Sequence, residues 1–158
     1  QALKEHQGGP NDIYYVFCVQ EELGCRGSKP AAERIRPDIG VAVDISPAHD
    51  YPCDLEGSNE VDGGIGIKIC DPSVVCDEDV VQAMLACCEE HQIPFQREVI
   101  DKGGTDASSM NLSGVGVRVG GIVVVTRYPH SQSAVVSKKD IEAGIDLISA
   151  FSQYEFPF

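Results

Sequence analysis

Residues 13–19 are apolar without interruption and rich in β-branched and aromatic side chains, as in a strand covered on both faces. The polar run Gln20-Glu21-Glu22 and a Gly-containing turn end it. Residues 28–35 predict a short helix with Pro30 tolerated in its first turn. Pro37 separates that helix from a second apolar strand at 39–44. Residues 46–64 hold Pro, Asp and Gly without a period and predict one long loop, a length that in compact domains usually serves function. Residues 65–70 alternate as Ile-Gly-Ile-Lys-Ile and predict a strand.

The clearest helix follows. Asp77, Glu78 and Asp79 supply an N-cap and an acidic first turn that suits the helix dipole, and Val80, Val81, Met84, Leu85 and Cys88 recur at helical spacing to about residue 92. Residues 95–100 predict a strand, 101–104 a turn, 106–112 a short helix and 115–125 a buried strand bent at Gly120-Gly121. After the polar stretch 126–133 a closing helix is predicted, with Ser137 and Asp140 as a capping-box-like pair and Ile141, Ile145 and Ile148 on one face. Short strands alternating with helices predict an α/β fold: a three-layer α/β/α sandwich around a mostly parallel mixed sheet, in a single domain over residues 1–158.

Composition narrows the partners. No window approaches the ~18 consecutive apolar residues of a membrane span, so no membrane partner is expected. With 25 Asp and Glu against 12 Lys and Arg, the formal charge of −13 argues against nucleic acid as a partner. Seven cysteines without a C-x-x-C pair read as small buried hydrophobes of a reducing cytosol, so a cytoplasmic location is expected. Only Cys25 stands near residues that look like a site.

Binding in covered parallel sheets falls at the carboxyl ends of strands. Three polar clusters lie there: Gln20-Glu21-Glu22, Asp44, and the run Arg127-Tyr128-Pro129-His130-Ser131. An imidazole with two or more carboxylates suits zinc, cobalt or manganese, with one carboxylate left to accept a proton from water. Adjacent Glu21 and Glu22 would point to opposite faces of a regular strand, so serving one site requires the backbone to turn between them. Taken singly, each cluster has a plainer reading. Paired glutamates at a strand end are mostly solvated charge, an Asp closing a strand is a turn former or cap, and Gly103-Gly104-Thr105-Asp106 lacks the spacing of a phosphate loop.

Taken together, the clusters carry a family resemblance. Residues 15–28, Tyr-Val-Phe-Cys-Val-Gln-Glu-Glu-Leu-Gly-Cys-Arg-Gly-Ser, resemble the V-Q-E-E-x-G-x-R-G-[AS] signature of the M42 metallo-aminopeptidases, the family of the glutamyl aminopeptidases and of proteins called endoglucanase M. Val41-Ala42-Val43-Asp44 resembles that family's A-V-D strand, Gly103-Gly104-Thr105-Asp106-Ala107 its G-G-T-D-A turn, and residues 126–131 its T-R-Y-x-H-S motif. The resemblance implies a zinc-peptidase-like fold and a pair of divalent metal ions, zinc or cobalt, bridged by water. It implies Glu21 as general base, Glu22 and His130 as ligands of one metal, and Asp44 as a ligand of the other. Asp106, Arg127 and Tyr128 become substrate-side residues, and the substrate a peptide with a free N-terminus.

The departures define a second expectation. The family also supplies an upstream metal-binding His and a bridging Asp in an L-D-D-R type motif, and nothing in this sequence matches either. His6 precedes the first predicted strand, in what resembles the tail of a helix, and is no replacement. Asp62-Gly63-Gly64 stands where the family usually has a K-G-P-type turn. The chain therefore resembles the C-terminal half of such a peptidase, without the upstream half or the inserted dimerisation domain, and is expected to be an incomplete, weakly active fragment. The alternative is a non-catalytic domain of the same fold that self-associates through an uncovered edge, and a homo-oligomer is expected on either reading. Glycoside cleavage by paired carboxylates is disfavoured, because no Trp and only 6% aromatic residues offer a stacking platform.

Overall fold

The alternating pattern produces one mixed sheet with helices on both faces, in a computed structural model that describes residues 1–156, the side chain of Glu5 excepted. In chain order the described elements are α1 (Ala2–Glu5), a single 3-10 turn (Glu21–Leu23), α2 (Ser28–Ile35), β1 (Ile39–Pro47), β2 (Ile65–Asp71) and β3 (Val74–Val75). They continue with α3 (Glu78–Glu90), β4 (Phe95–Val99), α4 (Ala107–Asn111), β5 (Arg118–Arg127), β6 (Val135–Val136) and α5 (Lys138–Ser152).

The two long ladders are parallel. β1 pairs with β5 from Ile39 opposite Arg118 to Pro47 opposite Thr126, and β2 pairs with β4 from Ile65 opposite Phe95 to Cys70 opposite Val99. A short antiparallel contact, Gly66 with Val123 and Ile67 with Ile122, joins the two halves. β3 and β6 add brief antiparallel pairs to β2 and β5. On one face α3 and α5 pack together over Ile65, Ile67 and Ile122; on the other α4 covers Ala42 and Val119, and α2 packs on α4. This is the expected three-layer sandwich.

Local chemistry explains the elements that were legible. The Asp77 carboxylate accepts from the N–H groups of Asp79 and Val80, satisfying donors that the first turn of α3 would leave open. Val80, Val81, Met84, Leu85 and Cys88 then bury the face predicted for them. Gly120 and Gly121 do not bend β5, whose pairing with β1 continues through them in unbroken register. A Cβ at Gly120 would stand 2.7 Å from Val80 Cγ1, and one at Gly121 would stand 2.9 Å from Lys68 Cβ. The two glycines let α3 close on one face and Lys68 cross the other.

Four further expectations are corrected. Residues 13–19 form no strand: among the described residues the segment has no ladder partner, and Tyr14, Val16, Phe17 and Val19 are exposed, Phe17 by 88%. An apolar run needs a neighbouring backbone as well as cover to become a strand. The loop predicted from residue 46 begins later, because β1 runs on to Pro47. The buried face of α5 is Ala143, Gly144 and Leu147, with Ile141 exposed, since Gly144 admits Ile65 where a Cβ would come within 2.9 Å. Asp140 is not a capping-box acceptor for its own helix; its buried carboxylate takes the N–H groups of Asp62 (2.8 Å) and Gly64 (2.9 Å) and anchors the loop before β2.

Candidate active site

The two adjacent glutamates reach one side of the fold because the backbone reverses around them. Gln20 adopts φ 58°, the 3-10 turn carries Glu21 and Glu22, and Gly24 (φ 102°) and Cys25 (φ 52°) complete the reversal. Glu21 O accepts from Gly24 N at 2.9 Å and Cys25 N at 2.8 Å. Gly27 lies against the backbone of Val19, where a Cβ would meet the amide nitrogen at 2.6 Å, so a side chain there would push the turn away from the segment that leads into it.

Across from this turn stands the loop leading into α4. Cys25 Sγ lies 3.5 Å from Glu21 Oε1, 3.5 Å from Thr105 O and 4.0 Å from Ser108 Oγ. The buried Ser28 Oγ donates to Asp106 Oδ1 at 2.5 Å and lies 2.5 Å from Ser109 Oγ, so the start of α2 is tied to the G-G-T-D-A turn. Donor atoms of Glu21, Cys25 and Asp106 lie within 4.8 Å of one another. Asp44, near the end of β1, takes the N–H of Ile45 at 2.7 Å.

The third cluster follows β5. His130 Nδ1 lies 3.5 Å from Glu22 Oε1, with both side chains largely in solvent. Tyr128 (φ 55°) and His130 (φ 57°) are left-handed. Left-handed non-glycine residues cost energy and persist where their surroundings over-determine them; four of them, Gln20, Cys25, Tyr128 and His130, fall in the two turns that carry the candidate site. What holds the second turn is the loop before β2. Arg127 Nε and Nη2 donate to Asp50 at 2.9 Å and 2.5 Å, Tyr51 packs edge-on against Tyr128 at 4.7 Å, and the Tyr51 hydroxyl accepts from Tyr128 N at 3.2 Å. Arg127 is thus committed to Asp50 rather than presented to a ligand, while the Tyr128 ring stays half exposed. Asp50 and Tyr51 carry no signal in the sequence beyond lying in a long aperiodic loop.

The electrostatics are those of anions crowded together. Burial raises the Glu21 carboxyl above its ordinary range, and Asp44, Asp106 and Glu22 push the same way, against the Cys25 S–H. Burial likewise raises Asp44, with Asp106 and Glu22 adding to it against the Ile45 N–H and the distant Lys68 charge. Burial and the surrounding carboxylates push the Cys25 thiol up to about 11. Glu21 and Cys25 thus touch, Asp106 lies within 4.8 Å of both, Glu22 and His130 meet each other, and Asp44 acts on Glu21 through its charge. Carboxylates with an imidazole, short of positive charge, form a donor set that fits a divalent cation.

Residues 1–147 match the family model described as M42 glutamyl aminopeptidase. A provisionally named aminopeptidase of Acetivibrio thermocellus is 38% identical over 94% of this chain, which spans 45% of that protein's length. Aminopeptidase APDkam598 of the archaeon Desulfurococcus kamchatkensis superposes with a TM-score of 0.91 at 34% identity, over 96% of this chain and 44% of that one. The TET1 peptidase of Pyrococcus horikoshii, described as assembling into a tetrahedron or a large octahedral shell, gives 0.74 at 27% identity, over 87% and 39% respectively. Sequence and fold thus agree, and the chain belongs to the M42 glutamyl aminopeptidase family.

Proposed function

We propose that this chain carries the base and part of the metal-binding set of a metal-dependent aminopeptidase that removes N-terminal residues from peptides. The observation that carries the proposal is the convergence of Glu21, Cys25 and Asp106 within 4.8 Å, in the field of Asp44 and next to the Glu22–His130 contact. Glu22 and His130 would hold one divalent ion and Asp44 a second, zinc or cobalt. Metal ions held there would supply Lewis acidity toward the scissile carbonyl and the attacking water. Glu21 accepts the proton of the attacking water and returns it to the leaving amine; its raised affinity for protons suits both halves of that task. Tyr128 presents its ring to substrate. Asp106 and Arg127, engaged by Ser28 and Asp50, serve the substrate by fixing the turns around it.

Turnover by the chain as it stands is expected to be low, because nothing in its 158 residues matches the family's upstream His or bridging Asp. Hydrolysis of aminoacyl-nitroanilides tests the metal requirement. Weak activity that a chelator removes and zinc or cobalt restores supports the proposal; activity indifferent to chelation contradicts it. Free thiols, all seven of them, fit a reducing cytoplasm. Among the described residues no helix is long and apolar enough to cross a membrane.

A second role, self-association, is favoured by a specific observation. Tyr14, Val16, Phe17 and Val19 are exposed, and so are Val43 and Ile45 on β1, whose outer edge carries no strand among the described residues. Uncovered apolar surface and a free edge promote association.

A further inference from the structure

We propose that Ser46, Glu98 and Lys68 form a buried relay that positions the Asp44 carboxylate for a divalent cation. The inference rests on the reading of Asp44 as a metal ligand and adds three positioning residues that no motif marks.

The relay crosses the sheet on the α4 side. Ser46 Oγ on β1 donates to Glu98 Oε1 on β4 at 2.5 Å. Lys68 Nζ on β2 donates to the same carboxylate at 2.8 Å and 3.1 Å, and forms an ion pair with Asp71 Oδ2 at 3.2 Å. β1 and β4 are not paired, so the Ser46–Glu98 bond spans strands that the ladders leave apart. Ser46 and Lys68 are each 1% exposed, Glu98 0%. Asp71 Oδ1 is further satisfied by Ser73 N at 2.8 Å, Ser73 Oγ at 2.6 Å and Val74 N at 3.1 Å. One ammonium and two carboxylates thus lie in the core, and Asp71 Oδ2 has the Lys68 ion pair but no hydrogen bond.

Stability alone does not account for such a group. Well-packed apolar side chains in place of a buried ion pair are often neutral or stabilising, because desolvating the charges consumes most of their attraction. The placement points to the site instead. Alternation puts Ser46 on the same face of β1 as Asp44, two residues away. β1 has β5 as its one ladder partner among the described residues, so its carboxyl end needs another tie to hold a side chain at fixed geometry. Ser46 supplies that tie. Gly121 leaves the neighbouring stretch of β5 without a side chain where Lys68 passes over it. Groups that orient metal ligands in this way commonly change metal affinity 10–100-fold when removed.

The test is a cobalt(II) titration of the intact chain, followed by calorimetry and by the visible absorption of bound cobalt, well below the melting temperature. Asp44→Asn examines the ligand reading, and Ser46→Ala and Glu98→Gln examine the relay. The expected result is that Asp44→Asn removes a binding equivalent. Ser46→Ala and Glu98→Gln then weaken the same equivalent by about tenfold or more and alter the cobalt spectrum, and Ser46→Thr, which keeps the hydroxyl, restores both. Lowered melting temperatures with unchanged affinity and spectrum would make the relay purely structural and overturn the inference while the ligand reading survives. No binding by the unaltered chain, or binding that Asp44→Asn leaves intact, would remove the ligand reading and the inference with it. If Glu98→Gln does not fold, the Ser46 pair still decides.

Discussion

His130 Nδ1 lies 3.5 Å from Glu22 Oε1, joining the turn after β5 to the turn ahead of α2. With the two side chains 70% and 74% exposed, the contact adds little to folding, since exposed ion pairs are screened and flexible. Its value lies in bringing two donor atoms to one place. His130→Ala and Glu22→Gln are therefore expected to leave the melting temperature of the metal-free chain nearly unchanged and to weaken zinc binding. The double variant should lose little more than either single one, because each change removes the same bound ion. Calorimetric zinc titration of the four proteins reads this; additive losses would separate the two residues into different sites.

The crowded carboxylates predict a pH dependence of stability. Glu21 and Asp44 both keep their protons to higher pH in the folded chain than an unfolded chain would. The folded state then binds more protons across that window, so their contribution falls as pH rises above about 4, where free carboxylates ionise. Asp50 acts in the opposite sense. Arg127 holds its carboxyl below the ordinary range, so its contribution is present above that range and is lost as pH falls through it. Thermal melts in chelator should show Glu21→Gln and Asp44→Asn gaining on the unaltered chain toward neutral pH, and Asp50→Asn losing on it. Zinc at neutral pH should reverse the difference for Asp44→Asn, which loses a ligand, and leave that for Glu21→Gln in place.

The core makes a prediction independent of the site. Met84 is 0% exposed and sits in the cluster between α3 and the sheet. Met84→Ala is expected to cost about 2–5 kcal/mol in denaturant unfolding. Gly120→Ala alone should cost about 1–3 kcal/mol by overpacking, because its Cβ would lie 2.9 Å from Met84 Cε and 2.7 Å from Val80 Cγ1. In the Met84→Ala background the same alanine should cost less, since one of those neighbours is gone. Equal costs in the two backgrounds would contradict the packing described.

Self-association is expected to run through residues 13–19. Phe17→Asp and Val16→Lys remove exposed apolar surface, so melting should change little while light scattering reports a smaller species. A chain that is already monomeric at high concentration, or variants that associate as before, would count against that surface.

Much of this was legible in the sequence, and the failures share a cause. α3 could be read because its cap and apolar face lie within one segment, from Asp77 to Cys88, and the run from Arg127 to Ser131 because it closes a long apolar strand. Residues 13–19 misled because composition records what a segment prefers, whereas a strand also needs a partner backbone. Asp140 looked like a cap for its own helix, but its carboxylate finds the N–H groups of Asp62 and Gly64 in a distant loop. Asp50 and Glu98 act through partners far along the chain, and no local pattern marks them.

The central claim is that Glu21 is the base of a metal-dependent peptidase site, and the most direct measurement is aminoacyl-nitroanilide turnover by Glu21→Gln beside the unaltered chain, both saturated with zinc or cobalt. The account predicts that kcat/KM falls by about 10²–10⁴-fold while metal affinity stays within a few-fold, because Glu21 moves the proton and Glu22, Asp44 and His130 hold the ions. Turnover undiminished in Glu21→Gln would contradict it.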